Sequence, residues 1–213
     1  MKQLKIIAAI IFLTSLVACE PPITFTEPQP ADTKNISNFP KRIKGVYLSL
    51  SDSSTLAIQD QLIQRTYDFN YKIHPNQLDS TSKLSDDTLI NLITKEREII
   101  KRSGDSLFIH IHHVDTLFIM NYDNVVRKFK SFYFLNMRYN ETSWLVQKIQ
   151  VSKSQLVISS ISTPEDLENL MEITATTHDT IGNPTFTTTK RQFKKFVRND
   201  GFRKDEIFVK LKE

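Results

Sequence analysis

Residues 63–73 read I-Q-R-T-Y-D-F-N-Y-K-I, and their alternation decides the fold. Ile63, Tyr67, Phe69, Tyr71 and Ile73 fall on one side of an extended chain, with Gln64, Thr66, Asp68, Asn70 and Lys72 on the other; only Arg65 breaks the pattern. A period of two, with aromatic and β-branched residues on one side, marks a strand with one solvated face. The same period recurs outward from this stretch. Upstream, Val46, Leu48 and Leu50 alternate with Tyr47 and Ser49, and Leu56 and Ile58 resume it after a Ser-Asp-Ser-Ser turn. Downstream, runs at 88–93, 99–102, 106–112, 116–120, 125–137, 143–151 and 155–161 are separated by turn-rich pieces at 76–83, 103–105, 122–124 and 139–141. Roughly nine strands at short spacing predict a mainly β fold, an antiparallel meander forming a barrel or sandwich.

A small recurrence supports the meander. Ser54-Thr55-Leu56, Asp87-Thr88-Leu89, Asp105-Ser106-Leu107 and Asp115-Thr116-Leu117 each place a turn residue and a hydroxyl residue before a Leu. Their unequal intervals indicate repeated hairpin ends, since a solenoid needs a fixed period. Toward the C-terminus the period changes and gives the fold an α+β end. Thr163-Pro164-Glu165-Asp166 combines a hydroxyl N-cap, Pro at the first helical position and acids in the first turn, and Leu167, Leu170 and Met171 follow at helical spacing. A second helix begins at Thr189, with Gln192 completing a capping box; Phe193, Phe196 and Val197 form its apolar stripe. Gly201 fits the left-handed position after its end, with Phe202 folding back on Val197. The Thr-rich stretch between the two helices, 174–188, reads as a loop, and 206–211 as a returning strand.

The 213 residues contain one Cys and four Gly, the latter isolated at Gly45, Gly104, Gly182 and Gly201. One Cys excludes an intrachain disulfide framework and Cys-rich metal cages, and scattered glycines exclude glycine-rich phosphate loops. The single Cys has a particular place. Residues 1–18 carry Lys2 and Lys5 ahead of an apolar run from Ile6 to Leu13, too short to span a bilayer and flanked like a secretory signal peptide. At its end stand Leu16, Val17, Ala18 and Cys19, which resemble the lipobox of bacterial lipoproteins at all four positions. The resemblance implies cleavage before Cys19 and a thioether from its thiol to diacylglycerol, with acyl chains such as palmitate, so that the membrane is a partner through the anchor at Cys19. Without the leader the excess of basic over acidic residues falls from four to two, which removes the charge argument for nucleic acid.

Residues 20–44 hold five of the eight prolines (Pro21, Pro22, Pro28, Pro30 and Pro40) and read as an extended Pro/Thr-rich tether, leaving 45–213 as a single β-rich domain with C-terminal helices. Glu20 after Cys19 departs from the aspartate that resembles an inner-membrane retention signal, which favours the outer membrane of the cell envelope. Gly45-Val46-Tyr47 resembles the G-x-W/Y opening of lipocalin-type barrels, implying a calycin-like carrier of a small apolar ligand or lipid, with Phe69, Tyr71, Phe129, Phe132, Tyr133 and Phe134 lining its cavity. The whole layout is similar to uncharacterised small lipoproteins of the Bacteroidota.

Two features invite chemistry. In F-I-H-I-H-H-V-D, His110 and His112 share one face of a strand and His113 lies beside Asp115 on the other. His110 and His112 are candidate metal ligands; the alternative is a polar outer face opposite buried Leu107, Ile109 and Ile111. No nucleophile stands in a G-x-S-x-G or comparable motif, so no catalytic residue and no cofactor is assigned, and an enzyme would have to lack a recognisable motif. Lys190, Arg191, Lys194, Lys195 and Arg198 crowd the second helix, either as a solvated face or as a surface for anionic headgroups or an acidic partner. The expectation is a lipid-anchored envelope protein serving as a non-enzymatic binding or accessory module, with another envelope protein or an apolar ligand as partner.

Overall fold

Fifteen strands and two α-helices form among the residues that the computed structural model describes, 22–174 and 184–211. The strands are β1 (Thr24–Phe25), β2 (Asn35–Ile36), β3 (Gly45–Ser49), β4 (Thr55–Ile58), β5 (Leu62–Ile73), β6 (Ser82–Ser85), β7 (Thr88–Asn91), β8 (Arg97–Ser103), β9 (Ser106–Ile119), β10 (Asn124–Phe129), β11 (Phe132–Asn140), β12 (Ser143–Val151) and β13 (Gln155–Ser160). Helix α1 (Pro164–Thr174), β14 (Thr185–Phe186), α2 (Lys190–Arg198) and β15 (Lys204–Lys210) complete the order. The protein is mainly β and antiparallel, with two short helices near its C-terminus; β1 and β14 pair in parallel. The leader, Cys19 and the middle of the Thr-rich stretch lie outside the described residues.

The chain divides into two compact units, one of residues 22–39, 120–174 and 184–207, the other of residues 40–119 and 208–211. The sequence expectation is a single domain beginning at residue 45. In the second unit the strand order is β3-β4-β5-β9-β8-β7-β6, with the end of β15 beside β3 through Phe208↔Ser49. Strand β5 pairs with β9 from Leu62↔Ile119 to Ile73↔Leu107. The runs expected at 106–112 and 116–120 are therefore one strand, and Asp115 is no turn residue but stands mid-strand opposite Arg65. Between Ile63↔Phe118 and Gln64↔Thr116 the pairing skips Leu117, a bulge that re-aims the strand without ending it.

Ile63 is buried, and Ile73 packs on Ile100, Leu107 and Ile109, but Phe69 and Tyr71 between them are about half exposed. Residues 68–72 are exposed on both sides of the strand, so alternation there does not produce a buried face. Arg65, the break in the pattern, is buried instead. Its Nε donates to Ser54 Oγ at 2.7 Å, its Nη2 to Asp52 Oδ2 at 2.9 Å, and its guanidinium stacks over Tyr67 and Phe208. A guanidinium is tolerated at low exposure when its donors are met and aromatic faces cover it.

In the first unit the sheet order is β2-β10-β11-β12-β13, and α1 and α2 pack on one of its faces. Both helices start as their caps predict. Asp166 N–H donates to Thr163 Oγ1 at 3.1 Å, and Thr189 and Gln192 close a reciprocal capping box. Leu170, Ile173, Phe193, Phe196 and Val197 turn inward onto Phe134 and Val146. The rings of Phe193 and Phe134 meet edge to face at 5.1 Å, and Phe202 lies within 6.1 Å of both and 5.4 Å from Phe196. Such ring pairs add about 0.5–1.5 kcal/mol each beyond area burial.

The end of α2 corrects one expectation. Asp200, not Gly201, takes the left-handed conformation, at φ 52°. Glycine is needed at 201 for room: a Cβ there would come within 2.2 Å of the Phe196 ring. Phe202 accordingly packs among Phe134, Phe193 and Phe196.

The expected tether is the larger correction. Ile23, Phe25, Ala31 and Phe39 are buried, Phe25 pairs with Trp144 across β1 and β12, and Ile36 pairs with Val126. Asn136, wholly buried, accepts from Gln29 N–H and donates to Gln29 O at 3.0 Å. Arg127 donates to the carbonyls of Pro28 and Pro30 and, at 3.0 Å, to Asn35 Oδ1. Prolines lack a donor but keep an acceptor, and here a guanidinium uses it. Neither run of strands closes on itself, so the calycin-like closed barrel does not form within either unit.

Candidate functional site

The β5–β9 pairing brings together side chains that the sequence keeps far apart. Asp68 stands opposite His112, and Asn70 opposite His110, on one face of the ribbon. His112 Nδ1 lies 3.2 Å from Asp68 Oδ2, and His110 Nε2 lies 3.8 Å from Asp68 Oδ1. One carboxylate thus lies between two imidazoles. On the opposite face His113 Nε2 is 2.6 Å from Asp115 Oδ1, and the His113 ring lies near Tyr67. His110, His112 and His113 are each more than half exposed. Leu107 and Ile109 on the reverse face are buried and Ile111 half-buried, which makes His110 and His112 members of a polar outer face.

Asp68 went unrecognised in the sequence because it lies 44 residues from His112, and only the strand register joins them. No group of three or more His, Cys, Asp or Glu that could hold a metal ion occurs among the described residues. The carboxylate can orient an imidazole and share its proton, as an acid–base pair requires. Elsewhere, a pocket of about 110 Å³ is lined by Ser82, Leu89, Asn91, Glu96 and Glu98, and an open groove of about 360 Å³ by Glu165, Glu168, Asn169, Glu172, Asn199 and Arg203. Neither includes a histidine.

The aromatic set expected to line a carrier cavity is not brought together around either pocket. Phe134 belongs to the ring cluster under the helices, Phe132 and Phe129 pack partly on it, and Tyr133 is buried. Phe69 and Tyr71 belong to the other unit and are exposed. Lys148 spans part of the ring cluster, 5.3 Å from the Phe202 centroid and 5.7 Å from Phe132. Burial pulls its ammonium below the usual lysine range, against the opposing pull of Asp205, Asp200 and Asp166.

The two helices expose opposite charges. On α1, Glu165, Glu168 and Glu172 are exposed; on α2, Arg191, Lys195 and Arg198 are. The other two cations are engaged, Lys190 Nζ donating to Asp32 O at 3.0 Å and Lys194 Nζ lying 4.7 Å from the Phe129 ring centroid. Asp166 at the start of α1 is wholly buried; its Oδ2 accepts from the Ser162 and Thr163 N–H groups and its Oδ1 lies 3.9 Å from Arg203 Nε. No helix among the described residues is long and apolar enough to cross a membrane. No protein family, no curated protein and no solved structure matches this chain.

Proposed function

We infer that the protein is a lipid-anchored component of the cell envelope, held at the outer membrane through Cys19 and acting there as a non-enzymatic binding or accessory module. The observation that carries this reading is the tetrad Leu16-Val17-Ala18-Cys19 at the end of the apolar leader, which supplies the chain's single thiol where a thioether to diacylglycerol requires one. Several acyl chains on one residue give stable attachment, where one chain gives only reversible binding. The packed segment from Ile23 is compatible with a close anchor. Four residue steps separate Cys19 from Ile23, a reach of at most about 14 Å for extended chain. The folded unit is then held near the bilayer surface.

The binding role is supported by surface chemistry: an open groove and charged helix faces stand outside the core. The experiment is metabolic labelling with palmitate. The wild-type chain takes up label and loses its leader, whereas Cys19→Ala accumulates as an unlabelled, longer precursor. Equal labelling of Cys19→Ala overturns the anchor and with it this reading.

A further inference from the structure

Helices α1 and α2 run antiparallel beside each other. Asn169 Nδ2 donates to Asn199 O at 3.2 Å at one end, and Gln192 Nε2 to Ile173 O at 3.3 Å at the other. Both bury their apolar sides on the same sheet face, which leaves their opposite sides free. Glu165, Glu168 and Glu172 recur at three and four along α1; Arg191, Lys195 and Arg198 recur at four and three along α2. Each set therefore forms one stripe, and each stripe spans about 10 Å of helix. No ion pair among the described residues joins one stripe to the other. The acidic stripe also lines the open groove of about 360 Å³, together with Asn169, Asn199 and Arg203.

An occupant of this layer must answer both stripes. An anionic lipid surface attracts α2 and repels α1, and a purely basic or acidic partner meets the same conflict. A second copy of this chain, turned through a two-fold axis, sets α1 of each protomer against α2 of the other, acid to base twice, with equal numbers and matched spans. That is the self-complementarity an isologous contact demands. We propose that the α1–α2 layer is a homodimer surface held by reciprocal pairing of these stripes. Exposed charge pairs contribute little each and are screened by salt, so the dimer is weak and salt-sensitive. Where copies are confined to a membrane, high local concentration raises its occupancy.

The test is a charge swap on the full chain in detergent micelles, read by energy transfer between two differently labelled preparations. One variant carries Glu165→Lys, Glu168→Lys and Glu172→Lys; the other carries Arg191→Glu, Lys195→Glu and Arg198→Glu. Wild type should pair, with affinity falling at least about tenfold between about 50 mM and about 500 mM salt. Each variant alone should lose pairing, because its two stripes then share a sign. Mixing the two variants should restore it. If a triple variant loses its far-UV spectrum, Glu168→Lys and Lys195→Glu repeat the swap as single exposed changes. Pairing that survives reversal, or fails to return on mixing, overturns the proposal. So does loss of binding to phosphatidylglycerol vesicles by the acidic variant with no change in self-association, which would assign the face to the membrane. The readout does not depend on acylation, so failure of the anchor leaves it interpretable.

Discussion

At the residue scale, two positions show how differently one amino acid type is used. Gly104 turns the β8–β9 hairpin at φ +60° with nothing within 4 Å of a Cβ, so its requirement is conformational. Gly201 has no such backbone requirement, yet a Cβ would meet three Phe196 ring atoms at 2.2–2.5 Å. Phe196 is wholly buried among Phe193 and Phe202, so the ring cannot yield cheaply. Gly201→Ala should therefore destabilise by about 1–3 kcal/mol through overpacking. Urea denaturation measures it, and Phe196→Leu, which shortens the obstructing side chain, should reduce the cost in a double-mutant cycle. A fully additive cycle would place the cause away from Phe196. The sequence showed the helix end but assigned the wrong reason to its glycine, because a ring folding back across the cap is a tertiary fact.

At the element scale, local signals were legible and long-range ones were not. The Thr189–Gln192 capping box and the apolar spacing of α2 involve neighbours within one turn, and both stand as the sequence indicates. Strand alternation identified β5 but not how far it is buried, since burial depends on which strands cover it. The turn between β3 and β4 shows the same dependence. Burial pushes the Asp52 carboxyl up, but hydrogen bonds from the Ser54 hydroxyl and N–H, a bond to Ser49 and the Arg65 charge outweigh it and hold the group at about 2. A folded-state value below the ordinary 3.8 means the ionised form stabilises the fold. That contribution is fully present above about pH 4 and is lost as pH falls through about 2. Asp52→Asn should cost stability at neutral pH, and the gap to wild type should narrow between about pH 4 and pH 2. Asp52 is partly exposed, so the gap is smaller than the shift alone implies. Thermal melts of both proteins across that range decide it; a gap that widens as pH falls rejects the linkage.

At the scale of the whole molecule, the decisive difference between sequence and structure is where the fold begins. Proline density at 20–44 reads as a spacer because proline disfavours regular ladders, yet Ile23, Phe25, Ala31 and Phe39 supply apolar surface to a unit whose remaining parts start at residue 120. The contacts that hold this segment cross about half the chain: Gln29 to Asn136 lies 107 residues apart, and Arg127 to Pro28 lies 99. No window of local sequence contains both partners. The two readings separate at Phe25, wholly buried and 5.8 Å from Phe193 in an edge-to-face pair. In a solvated tether, Phe25→Ala leaves stability unchanged. In a packed strand it costs about 3–5 kcal/mol, as for other buried phenylalanines. It should also couple to Phe193→Ala by about 0.5–1.5 kcal/mol, the worth of a ring pair beyond its area. Urea denaturation of the two single variants and the double variant gives both quantities. An unchanged midpoint for Phe25→Ala returns the segment to the role of spacer, whereas the expected loss makes the residues next to the anchor part of the body they attach.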